Sequence, residues 1–403
     1  MGASTGISRF VNKTVALRFK GQDLSFHLSH ALFSSFDIDD GSRLLLKTLA
    51  QNVDLGALRS VLDIGCGVGV IGAAVAAQAS SAAVVMQDRD ALAAAFAREN
   101  CRLNRLEDVD VRCALAFHGL GGRTFDLVTS NIPAKAGKPV LQSFLRHAAG
   151  CLSPGGIAAV VIVAPLASFV RETLDALRCK VAHMEATRAH TVLHFSAGQA
   201  GPETDAERED LSPYIRTSAT FAAKSCRYSL RTAYSLQDFD TLGYAVELSL
   251  DVLGRAASAG TVLVCNPGQG HLPVGLLSQR GRTISSLSLA GRDRLECAIS
   301  GMNLSALGRP PAGVTAIASE AELADACPEG FLDLLIASPR PIPGVPWQRE
   351  LAAAASRLLR KGGELFVIGS STDLHRFLEE LTSFRAIQSR KQYGFRAVIQ
   401  RKP

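Results

Sequence analysis

The chain carries one pattern twice. "LFSSFDIDDGSRLLLKTL" (Leu32 to Leu49) answers to "YSLQDFDTLGYAVELSLDVL" (Tyr234 to Leu253), and "DRDALAAAFARENCRLN" (Asp88 to Asn104) to "GRDRLECAISGMNLSAL" (Gly291 to Leu307). Further on, "FDLVTSNIPAKAG" answers to "LDLLIASPRPIPG", and "LSPGG" (Leu152 to Gly156) to "LRKGG" (Leu359 to Gly363). The offset drifts from about 201 to about 207, as small loop insertions would cause. Self-similarity on this scale means that each half folds as the same kind of unit. A length of 403 residues also exceeds what one hydrophobic core usually fills. The expected domains are residues 1–198 and 213–403. Their linker, 199–212, lies in the polar, acidic stretch "SAGQAGPETDAEREDLSP" (Ser196 to Pro213).

Within each half, apolar β-branched runs alternate with Ala/Leu-rich helical stretches. In the first they are "SVLDIG", "VIGAAVAAQA", "AAVVMQD", "ALAAAFARENCRLN", "FDLVTSN", "PVLQSFLRHAAGCL" and "GIAAVVIVA". Such alternation is the mark of a doubly wound α/β sheet with buried parallel strands. The expected fold is therefore α/β, with two tandem Rossmann-like domains. The longest apolar runs, such as "GIAAVVIVAPLA", fall short of the roughly 20 residues that a bilayer requires, so no membrane span is expected. The first residues lack a continuous apolar segment, which makes the cytoplasm the expected location. Nine cysteines occur with no CxxC pair, against both a structural zinc site and a disulfide framework, and no metal is expected. A net charge of +6 permits an anionic partner.

The loop "VLDIGCGVGVIG" (Val61 to Gly72) follows a strand and opens a helix. Missing side chains at Gly65, Gly67 and Gly69 let backbone N–H groups approach a ligand, and the helix N-terminus favours negative charge there. Gly67, Gly69 and Gly72 also spell GxGxxG, which would suit a dinucleotide. Asp63 argues otherwise: a carboxylate two residues before the first glycine repels a pyrophosphate but holds an ammonium, directly or through water. Asp88, at the end of the next strand, is placed to accept hydrogen bonds from ribose hydroxyls.

The run from Val61 to Gly69 resembles motif I of the class I S-adenosylmethionine-dependent methyltransferases. "FSSFDIDDGSRLLL" (Phe33 to Leu46) resembles the segment before the cofactor strand in the methyltransferase small domain family, which includes the tandem-domain ribosomal RNA guanine-N2 methyltransferases. The resemblance spans about Phe33 to Phe195 and includes the duplication. It implies S-adenosyl-L-methionine as cofactor, with the Asp-x-Gly-Ser turn bordering its pocket. Asp40 and Ser42 thereby join Asp63, Gly65, Gly67, Gly69, Asp88 and Asn131 as cofactor-binding candidates. Ser42 or Asp40 could equally cap the helix that begins there.

In that family the catalytic loop reads Asn-Pro-Pro-Phe, and its aromatic stacks on the target base. Here it reads "SNIPAKAG". Asn131 and Pro133 remain and are the catalytic candidates; Ile132 replaces a proline, and Ala134 stands where the aromatic would be. Leu115 occupies the place of the polar residue that meets the adenine amino group, which leaves that contact to the backbone. Lys135 is a candidate for a substrate phosphate.

In the second half the counterpart of Asp63 is Val264, Asn266 stands for Gly65, Pro267 enters the loop, Gly291 replaces Asp88 and Ser338 replaces Asn131. That half reads as a degenerate copy suited to substrate recruitment. In the tandem relatives the degenerate copy comes first, so the order here is reversed. "YIRTSATFAAKSCRYSLRTAYSLQ" (Tyr214 to Gln237) has no acidic residue and interleaves Arg216, Lys224, Arg227 and Arg231 with aromatics including Tyr228. Such a surface suits phosphate contact with base stacking. A small β-platform with its aromatics facing inward fits the same residues. The expected function is S-adenosylmethionine-dependent N-methylation of structured RNA, with RNA as partner. Two alternatives stay open: methylation of a protein or small-molecule amine, and a non-catalytic RNA-binding or assembly factor.

Overall fold

A computed structural model describes residues 6–198, 204–256 and 260–403. The chain divides into two compact units, Met1–Tyr214 and Ile215–Pro403. The first opens with an antiparallel hairpin, β1 (Lys13–Phe19) and β2 (Gln22–Leu28), whose burial alternates residue by residue as a one-sided ribbon demands. After α1 (Asp40–Asn52), strands and helices alternate: β3 (Ser60–Ile64), α2 (Val70–Ala76), β4 (Ala83–Asp88), α3 (Ala91–Leu103), β5 (Asp110–Cys113), β6 (Phe125–Asn131), α4 (Lys138–Gly150) and β7 (Leu152–Val163). α5 (Ala167–Ala176) leads to β8 (Lys180–Ala186) and β9 (His190–Ser196), and α6 (Asp205–Arg208) ends the unit.

The seven-stranded sheet runs β5-β4-β3-β6-β7-β9-β8. Its first five strands are parallel, and β9 pairs antiparallel with both β7 and β8. Strand order reverses between β3 and β6, so a crevice opens at the carboxyl ends of these strands, where α/β folds take their ligands. Val61, Leu62, Leu127 and Val128 are buried, because helices cover both faces of the sheet.

The second unit repeats the plan. β10 (Ile215–Ala223) and β11 (Cys226–Ala233) form its hairpin, followed by α7 (Tyr244–Leu253), β12 (Thr261–Cys265), α8 (His271–Arg280), β13 (Ser286–Gly291), α9 (Arg294–Ala306), β14 (Val314–Ala316) and β15 (Leu332–Ala337). α10 (Trp347–Leu358), β16 (Leu359–Ser370), α11 (Ser371–Glu380), β17 (Arg385–Gln392) and β18 (Phe395–Arg401) complete it. Its sheet runs β14-β13-β12-β15-β16-β18-β17, strand for strand the order of the first. The tandem Rossmann-like fold expected from the sequence is the fold observed. The antiparallel hairpins before and at the end of each sheet were not legible as such.

Two internal devices recur in both copies. Asp90 caps α3 and Asp293 caps α9 through their carboxylates. Asn100 holds the backbone of His27 with its Oδ1 and Nδ2 and donates to Val68 O; Asn303 does the same to Arg231 and Gln269 O. Each asparagine thus pins its hairpin to its glycine loop.

The expected linker, 199–212, is corrected in part. Residues 199–203 lie outside the described residues, but α6 belongs to the first unit and buries Arg208 there. Among the described residues no helix is long and apolar enough to cross a membrane, and no cluster of His, Cys, Asp and Glu could hold a metal ion. The nine cysteines are free, six of them buried.

Candidate active site

Gly65, Gly67 and Gly69 lie between β3 and α2 with φ of 68°, 57° and 92°. That left-handed region disfavours any side chain, and a Cβ built on Gly65 or Gly67 would meet only open space. A ligand can therefore come close to the backbone there, although its N–H groups are already engaged, Gly65 and Cys66 on Gln87 O and Gly67 on Asp88 Oδ2. Gly69 and Gly72 serve packing: a Cβ on Gly72 would fall 2.7 Å from Met86 Cγ and 2.9 Å from Asp63 Oδ2.

Asp63 does not reach the ligand side of this loop. It is 1% exposed; Gly72 N–H donates to its Oδ2 (2.9 Å) and the Thr129 hydroxyl to its Oδ1 (2.9 Å). The direct grip on an ammonium expected from the sequence is thus corrected: Asp63 is a positioning residue that locks the start of α2 to β6. Burial pushes its carboxyl up to about 7, against the pull of those two bonds. Asp88 ends β4, partly exposed, with Oδ2 accepting from Gly67 N–H (2.9 Å) and Oδ1 from Asp90 N–H (2.8 Å). Desolvation raises it to about 6. Its carboxylate edges the open side of the loop, where it can accept further donors.

On the opposite strand, Asn131 ends β6. Its Nδ2 donates to Asp39 Oδ1 (2.9 Å) and to Ser42 Oγ (3.1 Å). Asp39 is the cap of α1, accepting from Ser42 N–H (3.0 Å) and from the Ser42 hydroxyl (2.6 Å). The acceptor-only carboxylate fixes which end of the amide faces it, and so leaves Asn131 Oδ1 without a partner among the described residues. Asp40, expected at the pocket border, is instead exposed in the first turn of α1, and Asp39 holds that place. The "DDGS" stretch could not tell the two apart, since either carboxylate suits a cap. Pro133 and Lys135 are exposed in the turn after Asn131, where Ala136 N–H returns to Pro133 O. Ile132 is buried, and Leu115 is buried beside the Ala116 carbonyl that Gln87 Nε2 holds.

The sequence reading missed Phe33 and Phe36, 75% and 66% exposed on the segment leading to Asp39. Lys13 Nζ and Asn12 Nδ2 anchor that segment by donating to Phe36 O and Ser35 O. Two aromatics in water at the door of a polar cluster were the available signal.

Residues 23–194 match the family model described as "Methyltransferase small domain". The N-terminal unit belongs to the methyltransferase small domain family. Among its relatives, an uncharacterised protein, YbxB, of Bacillus subtilis is 28% identical over 151 residues, 37% of this chain and 74% of that protein. Ribosomal RNA small subunit methyltransferase C of Actinobacillus pleuropneumoniae is 38% identical over 115 residues, 28% of this chain and 34% of that one. The match thus spans about a third of that enzyme's length. The structure of the Thermus thermophilus 16S rRNA N2 G1207 methyltransferase, in complex with AdoMet and guanosine, superposes with a TM-score of 0.64 at 19% identity. It covers 98% of this chain and 99% of that one, a likeness of fold.

In the second unit the equivalent ground is a small cavity lined by Asn266, Arg292, Glu320 and Arg340. Val264 is fully buried where Asp63 stands in the methyltransferase domain. Asn266 donates to Ser338 O (3.0 Å) and accepts from Arg292 N–H (3.2 Å), tying together the loops after β12, β13 and β15. Arg340 pairs with buried Glu296 close by, and burial raises the Glu296 carboxyl.

The basic stretch is corrected as well. Tyr228 is 5% exposed, its hydroxyl is hydrogen-bonded to His271 Nδ1 (2.9 Å), and Phe221 packs against both rings. The aromatics thus face inward, as the pleat of an amphipathic hairpin requires, and Tyr228 is not placed to stack on a base. Arg216 is paired with Asp240 (2.6 Å). Arg227 and Arg231 share the outward face of β11, and Lys224 is exposed at the turn.

Proposed function

We propose that the protein is an S-adenosyl-L-methionine-dependent N-methyltransferase acting on RNA, with the guanine exocyclic amine of ribosomal RNA as acceptor. The observation that carries this reading is Asn131, whose Oδ1 is fixed by Asp39 and Ser42 across a crevice from the open Gly65–Gly67 backbone. When bound, S-adenosylmethionine supplies an electrophilic methyl group on a sulfonium. The Gly65 and Gly67 backbone would hold it, with the Asp88 carboxylate accepting from its ribose hydroxyls.

Asn131 Oδ1 accepts one N–H of the acceptor amine and aims the nitrogen lone pair in line with the methyl group. As the new C–N bond forms and the methyl leaves sulfur, the amine becomes cationic and sheds a proton to solvent. The Asn131 amide orients this step and takes no proton itself. Phe33 and Phe36 supply the aromatic surface that the 131–136 loop lacks.

In this reading residues 1–198 form the catalytic domain and 213–403 a degenerate domain that recruits RNA through Lys224, Arg227 and Arg231, with Lys135 contacting a phosphate near the acceptor. Free cysteines throughout fit a reducing cytoplasm. Calorimetry is expected to find one S-adenosylmethionine per chain. Two would overturn the degeneracy of the second unit.

The deciding experiment transfers radiolabelled methyl from S-adenosylmethionine into an extract of cells lacking this protein, then separates RNA, protein and small molecules. Label in RNA guanine is the expected result; label confined to protein or metabolites would replace the acceptor class, and no transfer would remove the enzymatic reading.

Gly41→Ala offers a sharper probe of the Asp39–Asn131 contact. Its Cβ would lie 2.9 Å from Asp39 Oδ1 and 3.4 Å from Asn131 Nδ2. Alanine favours a helix over glycine by about 1 kcal/mol, so stability is expected to hold while methyl transfer falls by about tenfold or more. Equal loss of both would assign Gly41 to folding alone.

Asp88 sets a pH limit. Because it titrates near 6 and ribose hydroxyls donate to its charged form, affinity for S-adenosylmethionine is expected to fall as pH drops through that value. Asp88→Asn should bind more weakly at pH 8 and show no such step, as calorimetry between pH 5 and 8 would reveal.

A further inference from the structure

A small cavity in the first unit lies between α4, the Ala116–Phe117 turn and the stretch from Arg208 to Tyr214. Phe117 and Phe144 supply apolar wall, and Ser143, His147, Arg208 and Asp210 supply polar groups. Arg208 is the unusual member. It is 2% exposed, and among the described residues its guanidinium makes one long hydrogen bond, from Nη1 to Arg123 O (3.4 Å). Nε and Nη2 are buried with no acceptor, and among the described residues no carboxylate pairs with the guanidinium. Asp210 is committed elsewhere: its Oδ1 accepts from Ser212 N–H (2.9 Å) and the Ser212 hydroxyl (2.7 Å).

The two orphan atoms are informative as a pair. Nε–H and Nη2–H form one edge of the guanidinium fork, two parallel donors spaced for two oxygens of one oxyanion. A buried cation in a cavity wall, with that edge unbonded, lacks a counter-charge.

We propose that this cavity is an oxyanion site that takes a phosphate group on the Arg208 edge, with the Ser143 hydroxyl in the same lining. Phosphate suits the lining better than a carboxylate, because hydrogenphosphate can give its own P–OH proton to Asp210. The site also touches the machinery. Ala116 lines it and offers its carbonyl to Gln87 Nε2, while Gln87 O accepts the N–H groups of Gly65 (2.8 Å) and Cys66 (3.1 Å). One residue therefore joins the cavity rim, by its side chain, to the glycine loop, by its backbone carbonyl. Free hydrogenphosphate and an RNA phosphodiester share the contact to the Arg208 edge, and only the free ion adds the P–OH donation to Asp210; only the RNA source rests on the function proposed above.

The test is calorimetry and thermal unfolding of the full chain in sodium phosphate against sodium chloride at equal ionic strength, for wild type, Arg208→Gln, Arg208→Lys and Ser143→Ala. Wild type is expected to bind phosphate and to melt higher in it. Arg208→Lys, which keeps the charge without the fork, should bind about tenfold more weakly or worse, and Arg208→Gln should lose the response. Ser143→Ala gives a readout that leaves Arg208 in place should either Arg208 variant fail to fold, and should weaken binding several-fold. Equal melting of wild type in the two salts, or wild-type phosphate affinity in Arg208→Lys and Ser143→Ala, would overturn the site. A generic oligoribonucleotide without terminal phosphates separates the sources. Weaker RNA binding in Arg208→Lys, with phosphate competing in wild type, marks RNA as the donor; unchanged RNA binding marks the free ion. Phosphate binding without any methyl transfer would leave this site standing while the enzymatic reading fell.

Discussion

Replacing Asn131 with alanine is expected to lower single-turnover methyl transfer by about 10²-fold or more, the usual cost of deleting one preorganised polar contact to a reacting group. Affinity for S-adenosylmethionine should stay within a few-fold, because the glycine loop and Asp88 are untouched. The size of the effect follows from the geometry. Both Nδ2 hydrogens are spent on Asp39 and Ser42, so the one remaining polar atom, Oδ1, is the part of the side chain that can meet an acceptor amine. Asn131→Asp should be no better, since it would set a carboxylate against Asp39 Oδ1 where a 2.9 Å donor stood. Single-turnover rates with labelled cofactor, beside calorimetric titration of the same proteins, separate the step from binding. An Asn131→Ala enzyme of wild-type rate would sink the proposed mechanism.

Asp63→Ala should act through stability. It removes the acceptor from Gly72 N–H and from the Thr129 hydroxyl, both buried, at a cost of about 1–3 kcal/mol each. A loss of roughly 2–6 kcal/mol is expected in urea unfolding, which is a large share of the stability of an ordinary domain. Asp63→Asn behaves differently: its Oδ1 still accepts from Gly72 N–H, and its amide can donate to the Thr129 hydroxyl. The sign of the pH effect also separates the two variants. Burial raises the carboxyl from 3.8 to about 7, so the native state holds its proton more tightly than the unfolded chain. Stability from this group is thus full below pH 4 and is lost as pH rises to about 7, by up to roughly 4 kcal/mol. Asp63→Asn should lack that slope and match or exceed wild type at pH 8. Identical pH profiles for the two proteins would contradict the buried-carboxyl account.

This bears on how an Asp63 variant is read. A loss of transfer in Asp63→Ala would report a loosened α2 N-terminus, since the side chain does not face the ligand. Its place in motif order is compatible with a ligand contact or a brace, and only the positions of Gly72 and Thr129 decide between them.

The duplication, the alternation of strands and helices and the glycine loop were legible because they rest on short-range rules. Strand and helix periodicity, apolar runs and glycine spacing survive in each half even where the polar groups have changed. Asn131 was singled out by the resemblance of its loop to Asn-Pro-Pro-Phe, and the structure places it at the end of β6. Asn100 and Asn303 were present in the paired stretches yet carried no local signal, since each acts on a hairpin about 70 residues away in sequence. Tyr228 and Arg231 lie three apart on one strand and so on opposite faces, which the basic-aromatic composition alone could not resolve.

By itself, then, the sequence determined two Rossmann-like units, a first glycine loop open for a ligand, and a second whose polar groups had been replaced. The tertiary structure decided the rest: that Asp39 rather than Asp40 orients Asn131, that Asp63 is a brace, that the aromatics of the β10–β11 hairpin point inward, and that Arg208 leaves a donor edge unbonded in a cavity wall. The physical reason is common to all four. Which atoms a polar side chain meets depends on chain segments brought together by packing, and one residue of register or one turn of helix reassigns its partner without altering the local pattern.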